Sequence, residues 1–459
     1  MVLRLKGSNN PMTQATRIYK HSGVGTDWAA LVLGAGLGLT LALQLTTVRK
    51  SDFTSVYATL ASVSRLSALV GTYFAIVGIF LVARIPWIEK GVGHDRLVTW
   101  HRKLGPWSLY GIGAHVFFII FAFSAQDSIP LYKELWRMLN SYVWMWPALA
   151  GFFLMIMAGV TSYKKARAKM SYETWWLVHV YTYIAVAASF MHQVLNGQMF
   201  IGHPLNRAYW SALYLMMAFS ILYWRFGTPL VRSMKVNLKV EKIVIEGPGV
   251  ISVIMRGRKL HTLGAQGGQF FGWRFFTRGH FLMSHPYSLS ASPTENLMRI
   301  TVKDLGDHSR SLAFIKPGTR VFVEGPYGAF TAGRSTRPHV VLVGGGVGIT
   351  PIRALMDELN GGVQMDLIYR ASREEDLVLR NELDYLAFNS GGSIRIHYLV
   401  GSRKNHPMDA RAMQKIVPQF ADSDIYICGP EALVSAVRNA AADAGVPKNR
   451  FHDESFSYA

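Results

Sequence analysis

Six apolar stretches crowd the first half of this chain, at residues 27–48, 65–87, 99–124, 142–161, 173–195 and 207–226. Each is about as long as a helix that crosses a bilayer, roughly 20 residues. In hydrocarbon the backbone must satisfy its own hydrogen bonds, so each stretch is expected to be a helix. The third and fifth carry polar residues. The connections differ in charge. Arg4, Lys6, Arg17 and Lys20 precede the first span, and Arg84, Lys90, Arg96, Arg102 and Lys103 follow the second. Lys164, Lys165, Arg167 and Lys169 follow the fourth, and Arg225, Arg232 and Lys235 follow the sixth. The intervening loops hold few basic residues, such as Arg49, Lys50, Lys133 and Arg137. With six spans every basic cluster falls on one side, which predicts a cytoplasmic N-terminus and C-terminal half. The polar, basic segment 1–26 is expected to be a retained cytoplasmic arm.

The net charge of +20 therefore reads as membrane topology, and no nucleic-acid partner is expected. The single cysteine, Cys428, excludes an intramolecular disulfide and any cysteine-ligated zinc or iron–sulfur centre. Beyond residue 232 the pattern changes. Short β-type runs at 236–245, 249–256, 298–303 and 320–324, broken by Gly and Pro, suit a small antiparallel barrel over 232–336. From 337 to 459, strands at 339–343, 365–369, 394–400 and 424–427 alternate with helical patterns at 352–360 and 432–444. That alternation predicts an α/β domain with a parallel sheet.

Of 15 histidines only four lie in the spans: His101 and His115 on the third, His179 and His192 on the fifth. An ionisable ring in hydrocarbon is costly and marks function. At 1.5 Å per residue the two spacings climb ~21 Å and ~19.5 Å, so each helix holds one histidine near each membrane face. Two pairs at two heights, His101 with His179 and His115 with His192, predict two stacked bis-histidine haems. Fourteen steps return to within about 40° of the starting face, whereas thirteen miss it by about 140°. The fifth helix is thus expected either to be irregular or to present its two rings from opposite flanks.

This layout, and the motifs that follow it, resemble the ferric reductase and NADPH oxidase superfamily over nearly the whole chain. The resemblance implies a six-helix domain (27–227) with two b-type haems, His101 and His179 holding the inner one and His115 and His192 the outer. It also implies an FAD-binding barrel and an NADPH-binding domain. His285-Pro286-Tyr287-Ser288-Leu289-Ser290 resembles the oxidase branch's His-Pro-aromatic-Ser/Thr motif. An aromatic can lie on the flavin ring while a hydroxyl bonds its polar edge. Soluble reductases carry Arg where His285 stands, so Lys303, next to Val302, or Arg310 is expected to supply charge toward the FAD phosphates. Gly306-Asp307-His308-Ser309-Arg310-Ser311-Leu312 resembles the family's Gly-x-x-Ser/Thr-x-x-Leu element, with Ser309 expected to cap a helix facing the pyrophosphate. Glu454 and Phe456 match an acidic residue and a flavin-covering aromatic near the family's C-terminus, and with Cys428 form the expected catalytic set.

Gly344-Gly345-Gly346-Val347-Gly348-Ile349-Thr350-Pro351 follows an apolar strand and precedes a helix, the context of a pyrophosphate-binding turn. The family places Cys428-Gly429-Pro430 near the nicotinamide. Ser402 and Arg403, after a strand and without an acidic neighbour, look like the family's 2′-phosphate pair, and Arg370 is expected to line the same pocket. The expected activity is electron transfer from cytosolic NADPH through FAD and two haems to a small extracytoplasmic acceptor, oxygen or ferric iron. The expected setting is a cell membrane, with the bilayer as partner and no obligate protein partner. Rival readings are a haem subunit feeding a separate enzyme and a proton channel.

Overall fold

A computed structural model describes residues 23–92, 94–170, 172–278, 280–281 and 284–455. The expected arm up to residue 22 and Phe456 lie outside the described residues. The chain divides into two compact units, Tyr19–Thr228 and one that holds Pro229–Ala459.

In the first unit, four helices are long and apolar enough to cross a membrane, with spans Asp27–Leu45, Val56–Val82, Arg96–Asp127 and Met145–Ser162. The other two expected segments are also helical, Tyr172–Asn196 and Pro204–Ser220. Neither is among those four. The first is diluted by His179, Ser189, His192 and Gln193, and the second has 17 residues before a π-helical turn at Ile221–Gly227. The second helix begins at Val56, not near residue 65 as expected. The Ser55 hydroxyl accepts from the Ala58 N–H and caps it, and the small and polar residues that follow hide the start from hydropathy. The Tyr172–Asn196 helix is unbroken, which leaves the second alternative: its two histidines leave the axis on different flanks.

Glycines set how closely these helices cross. A side-chain carbon on Gly71 would fall 2.8 Å from Ile112 N and 2.9 Å from Ser108 O, and one on Gly111 would fall 3.0 Å from Gly71 Cα. Between the Met145–Ser162 and Tyr172–Asn196 helices, one on Gly151 would fall 2.7 Å from Ala185 O. Such small-residue contacts replace the hydrophobic effect, which is absent between helices in lipid.

In the second unit, six strands make two antiparallel sheets of three. They are β1 (Lys239–Gly247), β2 (Val250–Arg256), β3 (Phe270–Phe275), β4 (His285–Ser288), β5 (Leu297–Lys303) and β6 (Val321–Tyr327). Their orders are β1-β2-β5 and β4-β3-β6, with single bridges Leu289 to Ile300 and Lys239 to Arg320 between them. Val253, Met255, Phe271, Trp273, Phe275 and Ile300 fill the space they enclose. The first strand starts three residues later than expected because Val236 closes a helix, Thr228–Val236. β3 and β4 were not foreseen.

The remaining strands are β7 (His339–Gly345), β8 (Gln364–Ala371), β9 (Ile394–Val400), β10 (Asp424–Gly429) and β11 (Phe451–Ser455). They form one sheet, β11-β10-β7-β8-β9, with every pairing parallel. Both faces are covered, so the strands are apolar on both sides. Val340, Leu342 and Tyr369 face the helices Ile349–Leu359 and Arg380–Asn389, while Val341, Val343 and Ile427 face Ala410–Ile416 and Glu431–Asp443.

Two carboxylates, half-buried Glu382 and fully buried Asp424, help hold the second unit together. Glu382 receives Arg299 at 2.8 and 3.0 Å and Arg353 at 2.5 Å. Burial pushes its carboxyl up, but the two guanidiniums outweigh that and hold it below its usual range. Asp424 accepts from the N–H groups of Thr336 and Arg337, anchoring the connection into β7.

The Gly71–Gly111 crossing can be tested directly. Gly71→Val and Gly111→Val should each lower the melting temperature of the detergent-solubilised chain by several degrees, since overpacking costs about 1–3 kcal/mol. Gly113→Val, where added bulk meets nothing within 4 Å, should change little. Equal melting curves for all three variants would show that this crossing does not hold the helices.

Candidate functional site

The membrane helices bring the four histidines together as two pairs. His101 and His179 face each other with ring centroids 5.8 Å apart, at 78°. His115 and His192 line one cavity of about 250 Å³, near the lower limit for small-ligand pockets, which begins at ~300 Å³. Its walls are mostly apolar, with Ile112, Ile119, Phe123 and Phe152 among them.

The hydrogen bonds settle which ring nitrogens remain available. His101 Nδ1 donates to Gly78 O at 2.9 Å. The Ser64 hydroxyl donates to His115 O, so it accepts from His115 Nδ1 at 3.0 Å. With Nδ1 holding the proton, Nε2 of each ring presents a lone pair. Iron-ligating histidines are fixed in this way by a second hydrogen bond. His179 Nδ1 sits 3.3 Å from the Ser162 hydroxyl. Among the described residues no cluster of three or more His, Cys, Asp or Glu could hold a metal. The pairs thus fit axial ligation of haem and do not fit a bare ion. Sequence reasoning missed Ser64, because a serine in an apolar helix carries no signal without its partner.

Arg65 opens the apolar stretch 65–87, but the helix itself begins nine residues earlier, at Val56. Its guanidinium turns inward and lines the His115–His192 cavity. There it donates to Gln198 Oε1 at 2.6 Å, and Gln198 in turn donates to Asp52 at 2.9 Å.

In the second unit, β4 carries His285, Pro286, Tyr287 and Ser288, with Tyr287 half-buried against the sheet core. Leu289 and Ser290 are fully buried, and Ser290 Oγ accepts from Thr301 at 2.8 Å and Arg299 at 3.0 Å. Val302 is also in the core. These last three support the strand, His285 and Tyr287 keep exposed ring surface, and Ser288 is itself buried. Lys303 stands 3.9 Å from Asp376, and Arg310 is paired with Asp304 at 2.8 Å, so both expected cations have acidic neighbours.

Ser309 does not cap the helix Asp307–Ser311, because Gly306 occupies the cap position. Its hydroxyl accepts from Leu305 N and donates to Gly306 O, which staples the turn instead.

The nucleotide crevice follows from strand order. From β7 the chain runs to β8 and β9 on one side, and β10 lies on the other. Ligands bind open α/β sheets where the order reverses, outside the carboxyl ends of the strands. Both glycine segments lie there. Gly344 and Gly345 end β7, Gly346–Gly348 form a tight turn, and Ile349, Thr350 and Pro351 open the helix. Gly346 has φ of 55°, and a side-chain carbon on Gly345 would fall 3.0 Å from Pro430 Cδ. One on Gly429 would fall 3.2 Å from Gly345 Cα, and one on Gly348 would collide with the Cys428 carbonyl. Only bare backbone lets the turns after β7 and β10 touch, Val347 being the one larger residue between the glycines.

Cys428 pairs in register with Gly344 and with Glu454. It has no exposed surface, and burial, with Glu454 adding to it, pushes its thiol well above the usual range. At neutral pH it is a thiol, not a thiolate.

Ser402 and Arg403 follow β9, with Arg403 exposed. Arg370 donates to Leu399 O at 2.7 Å and Gly401 O at 3.0 Å, so it braces this turn. Burial, and then the charge of Arg403, lower its pKa, which makes the turn a place where an anion is welcome.

Residues 67–190 match the family described as ferric reductase like transmembrane component, and residues 342–439 match the oxidoreductase NAD-binding domain. The chain is 27% identical over 205 residues to the glycine betaine monooxygenase reductase subunit of Chromohalobacter salexigens, covering 41% of this chain and 55% of that protein. It is 32% identical over 165 residues to NADH-cytochrome b5 reductase 1 of Aspergillus terreus, covering 32% and 54%. The chain thus spans about half the length of the curated relatives it matches. Among solved structures, it is similar to the flavohem-like FAD/NAD binding domain of nitric oxide dioxygenase from Vibrio cholerae, with TM-score 0.42 and 24% identity over 48% of this chain and 99% of that one. The chain is therefore a membrane protein that joins a ferric-reductase-like transmembrane component to an oxidoreductase NAD-binding module, consistent with a ferric reductase or NADPH oxidase-like fusion.

Proposed function

We propose that this chain moves electrons from cytosolic NADPH, through FAD and two haems, to an acceptor on the far side of the membrane. The observation that carries the reading is the pairing of four intramembrane histidines on two helices, fused in one chain to a dinucleotide-binding sheet. Outward faces of the fifth and sixth helices support six spans, since Leu177, Ile184, Leu215 and Phe219 are exposed there. The two bridged three-stranded sheets we read as the FAD-binding barrel. Loop charge puts the second unit in the cytoplasm.

When bound, FAD converts a two-electron hydride into single electrons, which haem can carry. The chain's own residues bind and orient. The turn Gly344–Gly348 offers backbone N–H groups at a helix N-terminus to the NADPH pyrophosphate. Gly429 and Pro430 border the crevice from the β10 side, and buried Cys428 would support the nicotinamide end of the site as an uncharged thiol. Glu454, beside Cys428 on β11, would offer an acidic side chain at the same end of the sheet. Tyr287 supplies a ring face to the flavin, and Ser288 a hydroxyl. His101 with His179, and His115 with His192, would hold the inner and outer haem. Arg65 makes the outer cavity electropositive, which favours an anionic acceptor or product. Oxygen and ferric chelates both remain chemically suited to it. The relatives named as reductase components of larger systems favour a second reading, delivery to a separate partner protein. The haem-type pairs within the same chain weigh against it.

Replacing His115 or His192 by Ala should drop haem content from two to one per chain and abolish transmembrane reduction, while flavin reduction by NADPH continues. Full haem content in both variants would contradict the outer-haem assignment.

The donor assignment rests on the phosphate turn. One relative is named for NADH, but Gly401-Ser402-Arg403-Lys404 has no acidic residue to pair with a free ribose. Arg403→Ala should lower kcat/KM for NADPH by about tenfold or more, the worth of a hydrogen bond to a charged group. It should leave NADH nearly unchanged. An equal fall with both donors would make Arg403 structural, and a wild-type preference for NADH would overturn the donor assignment.

A further inference from the structure

Three histidines meet beside Tyr287, and only one of them, His285, lies on the strand assigned to the flavin. His280, 5% exposed, comes from the turn after β3, and His308 comes from the short Asp307–Ser311 helix. The rings of His285 and His308 lie 3.3 Å apart at 23°. A chain of hydrogen bonds runs through the group. Ser311 Oγ is 2.9 Å from His280 Nε2, and His280 Nδ1 is 2.9 Å from His308 Nε2. His308 Nδ1 is 3.1 Å from the Tyr287 hydroxyl.

One further bond gives this chain a direction. Ser311 Oγ spends its proton on His308 O, at 2.9 Å, so toward His280 it can only accept. His280 therefore carries its proton on Nε2 and accepts at Nδ1. His308 must then donate from Nε2, which leaves its Nδ1 as an acceptor. The Tyr287 hydroxyl donates to it. Each neutral imidazole has one donor and one acceptor nitrogen, and the sequence of bonds uses all of them. Neutrality is itself favoured here: burial, then His285 and His280, push His308 down to about 3.

The Tyr287 and His308 rings are also close to coplanar, at 21°, so the bond restrains rotation of the phenol as well as its reach. A strand residue needs such a restraint if its ring face is to meet a flat ligand in one orientation.

We propose that His308 is a positioning residue that fixes the Tyr287 ring for the flavin, with His280 and Ser311 locking His308 in the accepting tautomer. The proposal rests on the reading that FAD lies against β4.

The test is a double-mutant cycle on the full-length chain in detergent, freed of flavin and titrated with FAD by fluorescence. Tyr287→Phe and His308→Phe should each weaken FAD binding roughly three- to tenfold, the worth of one hydrogen bond. The double variant should be no weaker than either, and both single variants should shift the absorption of bound flavin alike. His308→Gln, which keeps a side-chain acceptor, should recover part of the affinity. Ser311→Ala, a milder change at the far end of the chain, should weaken FAD in the wild-type background and have no effect on Tyr287→Phe. Multiplicative losses in the double variant, or unchanged affinity in His308→Phe, would overturn the positioning role while leaving the flavin site intact. A wild-type chain that binds no FAD would remove the flavin reading and this proposal together.

Discussion

An imidazole placed in hydrocarbon is costly unless its nitrogens have partners, and for two of the four intramembrane rings, His101 and His115, the neighbouring helix supplies one. Both donate from Nδ1, His101 to Gly78 and His115 to Ser64. The same bonds leave Nε2 of each ring as the nitrogen with a lone pair. Those contacts exist only because the Val56–Val82 and His94–Asp127 helices approach closely, and Gly71 and Gly111 are what permit it. Gly151 does the same for the helix that carries His179 and His192. Packing of small residues, fixed tautomers and opposed histidines are thus successive consequences of one constraint.

In the second unit the corresponding constraint is backbone proximity. The turns after β7 and β10 touch through Gly345, Gly348 and Gly429, where any side chain would collide. The crevice lies where the strand order reverses, between the glycine turn after β7 and the Cys428–Pro430 turn, which is where open α/β sheets bind ligands. Charged contacts hold the frame. Glu382 joins Arg299 of β5 to Arg353 of the helix behind the glycine turn, and Arg370 braces the turn that bears Arg403. Arg403 is exposed, but the loop under it is held in place.

Periodic and compositional features were legible in the sequence. The four histidines, the glycine run and the alternation of strands with helices beyond residue 337 each leave a local signature. Features that depend on a distant partner left none. Small and polar residues after Ser55 hide the start of the second helix, and nothing local shows that Arg65 lines the outer cavity. Ser309 was expected to cap a helix, but it staples the turn before it. β3 and β4 escaped notice because Phe270–Phe275 has no alternation and His285–Ser288 is only four residues long. His280 and His308 lie far from Tyr287 in sequence, and only the fold brings the three together.

The central claim is that a single chain connects a nicotinamide donor to haem within the membrane. Anaerobic addition of NADPH to the purified full-length chain, followed by visible absorbance, tests it most directly. The account predicts that sharp reduced b-type haem bands develop with NADPH alone, with no second protein added. Bleaching of the flavin while the haem stays oxidised, or a preparation with no haem bands when haem is plentiful, would contradict it.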